Sequence, residues 1–225
     1  MIKAVLMDID DTLLDFDLCS EWSMRSAAEL LGVKLPSDAF ETFRKINISL
    51  WKDIERKALT LDELYCIRWN RVFKALNISF DGTVFEKAFV EFLSESVIPV
   101  EGAMEILMYL SRKYPVYAAS NGPYGQQLRR MRMAGMHSYL SGYFISEKVG
   151  HTKPGKDFFK YCLEKMGIEK PEDVLMIGDS LSADIQGAKA FGMKYCWFNK
   201  NHQPVNDIAE GGCVIDRLEE IKSYI

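Results

Sequence analysis

The sequence predicts an α/β fold: a doubly wound parallel sheet that carries an inserted all-helical segment. Three observations predict it. Short, continuously apolar runs recur along the chain and alternate with helical patterns, as in strand–helix crossover units. Residues 16–96 hold helical patterns and no such run. Acids, a hydroxyl and a lysine stand at or just after the ends of the predicted strands, where open α/β sheets bind ligands.

The first run, Ala4-Val5-Leu6-Met7, stops at Asp8 and fits a strand buried on both faces. The inserted segment follows. Ser37 or Asp38 can cap a helix running to about Lys57. Thr60-Leu61-Asp62-Glu63 has the form of a capping box and opens a helix to about Leu76. Asp81-Gly82 marks a turn, and Phe85, Phe89 and Phe92 begin a further stripe. Four or five helices are expected there. The strand–helix alternation then resumes. Strands are expected at Val116–Ala119, Tyr143–Ile145, Val174–Ile177 and Tyr195–Phe198. Helices are expected over Glu101–Arg112, Tyr124–Met133, Lys156–Met166 and Asp184–Phe191. The reading is therefore a Rossmann-like core, residues 1–15 and 97–225, interrupted by helices at 16–96.

Composition narrows the function. The chain has 225 residues, 48% of them hydrophobic, and a formal net charge of −4. An acidic balance argues against a dedicated nucleic-acid binder. No run approaches the roughly 20 apolar residues that span a bilayer. The first seven residues lack the apolar core of a secretory leader. Cys19, Cys66, Cys162, Cys196 and Cys213 are odd in number and far apart, with no C-x-x-C. Neither a disulfide framework nor a zinc site is expected; buried thiols in a reducing cytoplasm are. Arg129-Arg130-Met131-Arg132 reads as a solvated helix face, and His137, His151 and His202 show no ligand spacing. Oligomeric state is not readable.

The chemistry is concentrated in Asp8-Ile9-Asp10-Asp11-Thr12. By chance D-x-D-x-T arises in about one chain in forty of this length, so the motif alone can be an Asp-rich turn. The other strand ends add weight. Ser120-Asn121-Gly122 offers a hydroxyl and backbone N–H groups. Lys153-Pro154 precedes a helix, and Gly178-Asp179 is followed by Asp184. Each part alone has a bland reading as a turn, a solvated lysine or a helix-opening acid. Their joint order at strand ends does not.

This ordered set resembles the haloacid dehalogenase superfamily, specifically its magnesium-dependent subclass I phosphatases, in which the helical insertion is the cap. Asn47-Ile48-Ser49-Leu50-Trp51, Ser120-Asn121-Gly122 with Gln126-Gln127, Ile145 to Gly150 and Cys196 to Asn199 look closest to the pyrimidine 5′-nucleotidase branch. Asp11 stands where many relatives carry Glu or Gly, and Ser120 where Thr is frequent. The resemblance implies roles. Asp8 is the expected nucleophile and Asp10 the general acid/base. Ser120 and Lys153 are the expected phosphate ligands, with Asn121 and Gly122 beside them. Thr12 is expected to fix the loop. Asp8, Asp179 and the backbone carbonyl of Asp10 are the expected magnesium ligands, and Asp184 is expected to orient Lys153 or a metal-bound water. Trp51 is the first choice among Phe16, Trp22 and Trp51 to stack on a base. Hinges are expected near Asp15–Asp17 and Ser96–Pro99.

Charge supports the cation. Four carboxylates against Lys153 leave about −3, and a phosphate monoester adds nearly two more negative charges. Two like charges 4 Å apart repel by roughly 4 kcal/mol at an effective dielectric of 20. Asp10 disfavours dehalogenation, because dehalogenases of the family lack an acid there. The expectation is a hydrolase of nucleoside 5′-monophosphates, with a sugar-phosphate phosphatase or phosphomutase as the alternative. A non-catalytic domain binding phosphorylated metabolites is disfavoured by the complete acid set.

Overall fold

The computed structural model describes residues 1–205 and 212–225. In chain order the elements are β1 (Ala4–Met7), α1 (Phe16–Leu31), α2 (Ala39–Glu55), α3 (Leu61–Ala75), α4 (Gly82–Leu93), α5 (Ala103–Ser111), β2 (Val116–Ser120), α6 (Tyr124–Met133), β3 (Gly142–Ile145), α7 (Ser146–Val149), α8 (Lys156–Met166), β4 (Val174–Gly178), α9 (Gly187–Phe191), β5 (Lys194–Phe198) and β6 (Gly212–Ile215). A π-helical turn, Leu181–Gln186, precedes α9, and a 3₁₀ segment, Leu218–Ser223, follows β6. The chain forms two compact units, Met1–Asp15 with Val97–Ile225, and Phe16–Ser96.

The first unit is built on a parallel sheet in the order β3-β2-β1-β4-β5-β6. Val5 faces Val116 on one side and Leu175 on the other, so β1 is central. Its four residues are at most 1% exposed, which is why the run is apolar without alternation. The strands feed two apolar layers by alternation. Val5, Met7, Leu175, Ile177 and Cys196 join α5 and the 3₁₀ segment through Ile106, Leu110, Leu218 and Ile221. Leu6, Val174, Met176 and Trp197 join α8 through Phe158, Phe159 and Cys162. The strand order reverses at β1, and it is beside such a point, at the carboxyl ends of β1, β2 and β4, that open α/β sheets bind their ligands.

Two expectations need correction. The apolar runs predict five strands, but a sixth, β6, pairs with β5. It is an edge strand, only half-buried, and Gly212 is needed because a Cβ there would overlap the Tyr195 ring. Nor are all five cysteines buried thiols. The parallel register sets Cys196 opposite Cys213, their Cα atoms 4.6 Å apart, and the sulfurs form a disulfide. Linear spacing hides a relation that strand register creates. Cys19 and Cys162 are buried, whereas Cys66 is exposed.

The second unit holds the four helices α1–α4. Trp69 is fully buried, with the rings of Phe85, Phe43 and Phe89 at 4.3, 5.1 and 5.2 Å. Thr60 and Glu63 close a reciprocal capping box on α3. Asp81 caps α4 by accepting from the Thr83 amide at 2.8 Å. Asp38 stands at the N-cap of α2 without a capping hydrogen bond. Arg68 is buried against Glu86, donating from Nε to Oε2 at 3.1 Å and from Nη2 to Oε1 at 2.5 Å. Its Nη1 also donates to Asn47 Oδ1 at 2.9 Å. Among the described residues no helix is long and apolar enough to cross a membrane.

Candidate active site

Asp8 follows the last residue of β1, and its amide donates to the Ile177 carbonyl at 2.9 Å, extending the ladder by one step. The chain then turns sharply. Leu13 and Leu14 donate to the Ile9 carbonyl at 2.8 and 2.9 Å, and Asp11 takes φ +60°, a region Asp tolerates better than most residues. Thr12 is fully buried, with Oγ1 3.5 Å from Asp179 Oδ1, so it braces the loop.

Lys153 ties three strand ends together. Its Nζ donates at 2.6 Å to Asp8 Oδ1, to Asp184 Oδ1 and to the Ala119 carbonyl of β2. The loop bearing Lys153 is held by Asn121, whose side chain accepts from the Lys153 amide and donates to its carbonyl, both at 2.9 Å. Asn121 therefore fixes the lysine. Ser120 is 1% exposed, and its Oγ accepts from the Gly122 amide at 3.0 Å and from Gln127 Nε2 at 2.9 Å. The Gly122 N–H, expected to face a phosphate, here turns to that hydroxyl, and a Cβ on Gly122 would press into Gln127 at 2.5 Å.

Asp184 sits on the π-helical turn. Ser180 caps that turn, accepting from the Ala183 amide at 3.1 Å, and the Ser180 amide donates to Asp184 Oδ2 at 3.1 Å. A Cβ on Gly178 would overlap the Asp184 carboxylate, so glycine is required for this close approach. Asp179 is fixed through its main chain, where Trp197 Nε1 donates to its carbonyl at 2.9 Å.

The arginine cluster departs from expectation. Arg129 and Arg132 are exposed, but Arg130 is fully buried and its Nη1 meets Asp10 Oδ1 at 2.6 Å. Gln127 Nε2 meets the other oxygen, Asp10 Oδ2, at 2.5 Å. A second cation was also missed: Lys200, just past β5, donates to Asp11 Oδ1 at 2.6 Å and lies 3.7 Å from Asp15. The site thus holds more positive charge than the single lysine of the sequence estimate. Trp51 does not belong to this unit; it is half-buried on α2 and packs with Leu50, Ile54 and Leu64.

Electrostatics follow from burial. Burial pushes the Asp8 carboxyl up to about 8, and Asp184 and Asp10 add to the rise while Lys153 opposes it. Asp179 is held well above the usual carboxylate range by burial and by Asp11, Asp8 and Asp184. Burial works against a charged Lys153, but Asp184 and Asp8 outweigh it and keep the ammonium protonated. Among the described residues, Asp8, Asp179 and Asp184 place carboxylate oxygens within 4.8 Å of one another. All three donors are oxygens, and their mutual repulsion is what a hard divalent cation relieves, so the residues fit magnesium. The Asp10 carboxylate is instead engaged by Arg130 and Gln127.

Comparison with known proteins agrees with this geometry. The HAD-hydrolase YfnB of Bacillus subtilis is 32% identical over 202 residues, covering 90% of this chain and 86% of YfnB. Its magnesium-bound crystal structure superposes with a TM-score of 0.91 at 31% identity, covering 99% and 98% of the two chains. The pyrimidine 5′-nucleotidase PynA of Streptococcus pneumoniae is 32% identical over 226 residues, 97% of this chain and 95% of PynA. The pyrimidine 5′-nucleotidase YjjG of Escherichia coli is 29% identical over 221 residues, 98% of this chain and 96% of YjjG. The profile of the haloacid dehalogenase-like hydrolases matches residues 2–192. With an acidic strand end, a lysine bridging two carboxylates and a profile match over most of its length, the chain belongs to the haloacid dehalogenase-like hydrolases.

Proposed function

We propose that this hydrolase is a magnesium-dependent phosphomonoesterase that acts through an aspartyl-phosphate, with pyrimidine nucleoside 5′-monophosphates as preferred substrates. The observation that carries the chemistry is Asp8, standing at the end of the central strand with Lys153 2.6 Å from its oxygen. Two relatives that align over nearly their whole length, PynA and YjjG, are pyrimidine 5′-nucleotidases, which supports the substrate class. In this reading residues 16–96 are the cap, and Trp51 supplies a stacking surface for the base.

In the first step an Asp8 oxygen attacks phosphorus. The bond to the ester oxygen breaks, and Asp10 passes its proton to the departing alkoxide. In the second, Asp10 takes a proton from water, whose oxygen bonds to phosphorus. The Asp8–phosphorus bond breaks, inorganic phosphate leaves and the Asp8 carboxylate is restored. Lys153 and the Ser120 hydroxyl bind the phosphoryl oxygens, and Asp184 holds Lys153. Asp8, Asp179 and the Asp10 carbonyl would hold magnesium, which supplies positive charge against the phosphate when bound. The partner is a small phosphorylated metabolite and not a nucleic acid, in keeping with the acidic balance. The reading places the enzyme in the cytoplasm.

Phosphate release from a panel of nucleoside monophosphates and sugar phosphates, with magnesium and with chelator, tests it. Chelator-sensitive release that peaks on uridine or cytidine 5′-monophosphate is expected, and Asp8→Asn should reduce it to background. A peak on a sugar phosphate would retain the mechanism and remove the substrate assignment. An isomerised sugar phosphate with no free phosphate would show a mutase.

A further inference from the structure

The fully buried Arg130 needs a reason. Taking a guanidinium out of water costs several kcal/mol unless a partner repays it with good geometry. Its charged partner is Asp10, one of several groups it meets, and the Asp10 side chain stays 30% exposed while that of Arg130 is 0% exposed. The charge therefore lies behind the carboxylate, away from solvent, and the carboxylate faces outward.

Gln127 and Arg130 are three residues apart on α6 and so share one face. Together they grip both oxygens of Asp10: Arg130 Nη1 reaches Oδ1 at 2.6 Å and Gln127 Nε2 reaches Oδ2 at 2.5 Å. The two also bond each other, Nη1 donating to Gln127 Oε1 at 3.1 Å. Gln127 Nε2 reaches further, to Ser120 Oγ at 2.9 Å. One helical turn thus joins the carboxylate of the β1 loop to the hydroxyl at the end of β2.

We propose that Arg130, with Gln127, is a positioning residue for Asp10. The pair stops the carboxylate from rotating and fixes its distance from the phosphate-binding hydroxyl. Each carboxylate oxygen has further lone pairs, so a proton can be held on the outward side while both donors stay in place. This inference rests on the reading of Asp10 as the group that protonates the leaving oxygen. It assigns Arg130 no contact with substrate.

A positioning role and a bracing role predict different substrate dependence. The alkoxide leaving a nucleoside monophosphate needs a proton, whereas the p-nitrophenolate leaving p-nitrophenyl phosphate does not. If Arg130 aims Asp10, its loss slows the transfer of phosphoryl to Asp8 from the first substrate only, whereas the water step, which also uses Asp10, slows equally for both. Arg130→Ala should lower kcat for uridine 5′-monophosphate by about 10²- to 10³-fold, within the range of general acid catalysis. KM should be little changed, and the pre-steady-state burst rate of p-nitrophenolate release, which reads the first step alone, should fall less than about fivefold. Gln127→Ala should show the same selectivity more weakly. Arg130→Lys keeps the charge on a single nitrogen without the planar fork and should restore part of the loss.

Equal losses in the first step on both substrates, or none on either, would overturn the proposal. If Arg130→Ala does not fold by circular dichroism, Arg130→Lys and Gln127→Ala carry the same comparison. Asp10→Asn is the control for the underlying reading. If that variant is itself unselective, Asp10 is not the proton donor and both assignments fall. If it is selective and the Arg130 and Gln127 variants are not, only the positioning role falls.

Discussion

The buried pair in the helical unit makes a quantitative test. The side chains of Arg68 and Glu86 are 3% and 5% exposed, joined by two hydrogen bonds. Burial holds the Glu86 carboxyl above its ordinary value even though Arg68 pulls it down. That is the mark of a pair whose desolvation outweighs its attraction. Glu86→Ala leaves the guanidinium buried with the Asn47 oxygen and the rings of Phe89, Phe43 and Tyr65, at 5.0, 5.8 and 5.8 Å. Stranding one partner of a buried pair costs about 3–5 kcal/mol. The rings and Asn47 keep the cation partly compensated, so the lower end is expected, about 3 kcal/mol. At about 2–4 °C per kcal/mol for a chain of this size, Tm should fall by roughly 6–12 °C. The double change Arg68→Met with Glu86→Leu removes both charges and should be near neutral or stabilising. Urea unfolding followed by tryptophan fluorescence and by circular dichroism reads both variants. A loss below about 1 kcal/mol for Glu86→Ala, or a double variant as unstable as the single one, would refute the reasoning.

Other outcomes follow from the same structure. Magnesium at 100 times its dissociation constant should stabilise the protein by about 2.7 kcal/mol, and Asp179→Asn should abolish the shift in a thermal melt. The Glu63 and Asp81 carboxyls lie below their usual values because of hydrogen bonds to Thr60 and Thr83. Their contribution is present above the ordinary carboxylate pKa and is lost as pH falls through the depressed values. Helicity of the second unit should therefore decline below about pH 4, and Thr60→Ala should weaken that acid dependence. Opening the 17-residue separation between Cys196 and Cys213 with a reductant should cost about 3 kcal/mol of stability, seen as a lower urea midpoint. Equal midpoints with and without reductant would count against that.

Much of this fold is written in the chain's apolar runs. Ala4–Met7 and Val174–Ile177 announce themselves because a strand buried on both faces has no reason to alternate. Tyr124–Met133 and Lys156–Met166 have the bounds their periodicity predicts. β6 escaped because a half-buried edge strand opening on glycine carries neither a long run nor alternation. The convergence of Asp8, Lys153 and Asp184 follows from one rule about strand ends applied to each strand. Lys200 obeys that rule too, two residues past β5, but a lone lysine after an asparagine gave no second signal. Arg130 was hidden by its neighbours, since three arginines in four residues suggest a wet face. Its register tells otherwise: Gln127, Arg130 and Met131 share the buried side of α6.

The two chain crossings between the units have a consequence for engineering. Within the sheet unit, Asp15 donates to the Ile98 carbonyl at 2.8 Å, Val100 donates to Leu13 at 3.1 Å, and Leu14 bridges antiparallel to Pro99. The outgoing and returning strands are zipped side by side before either leaves. The open ends at Asp15 and Val97 are thus as near as the two arms of a hairpin. A tight turn of a few residues would close that gap, so the eighty-odd residues between them form a removable cassette. The same seam would accept a foreign helical module whose termini are adjacent, while the sheet unit keeps its own strand pairing.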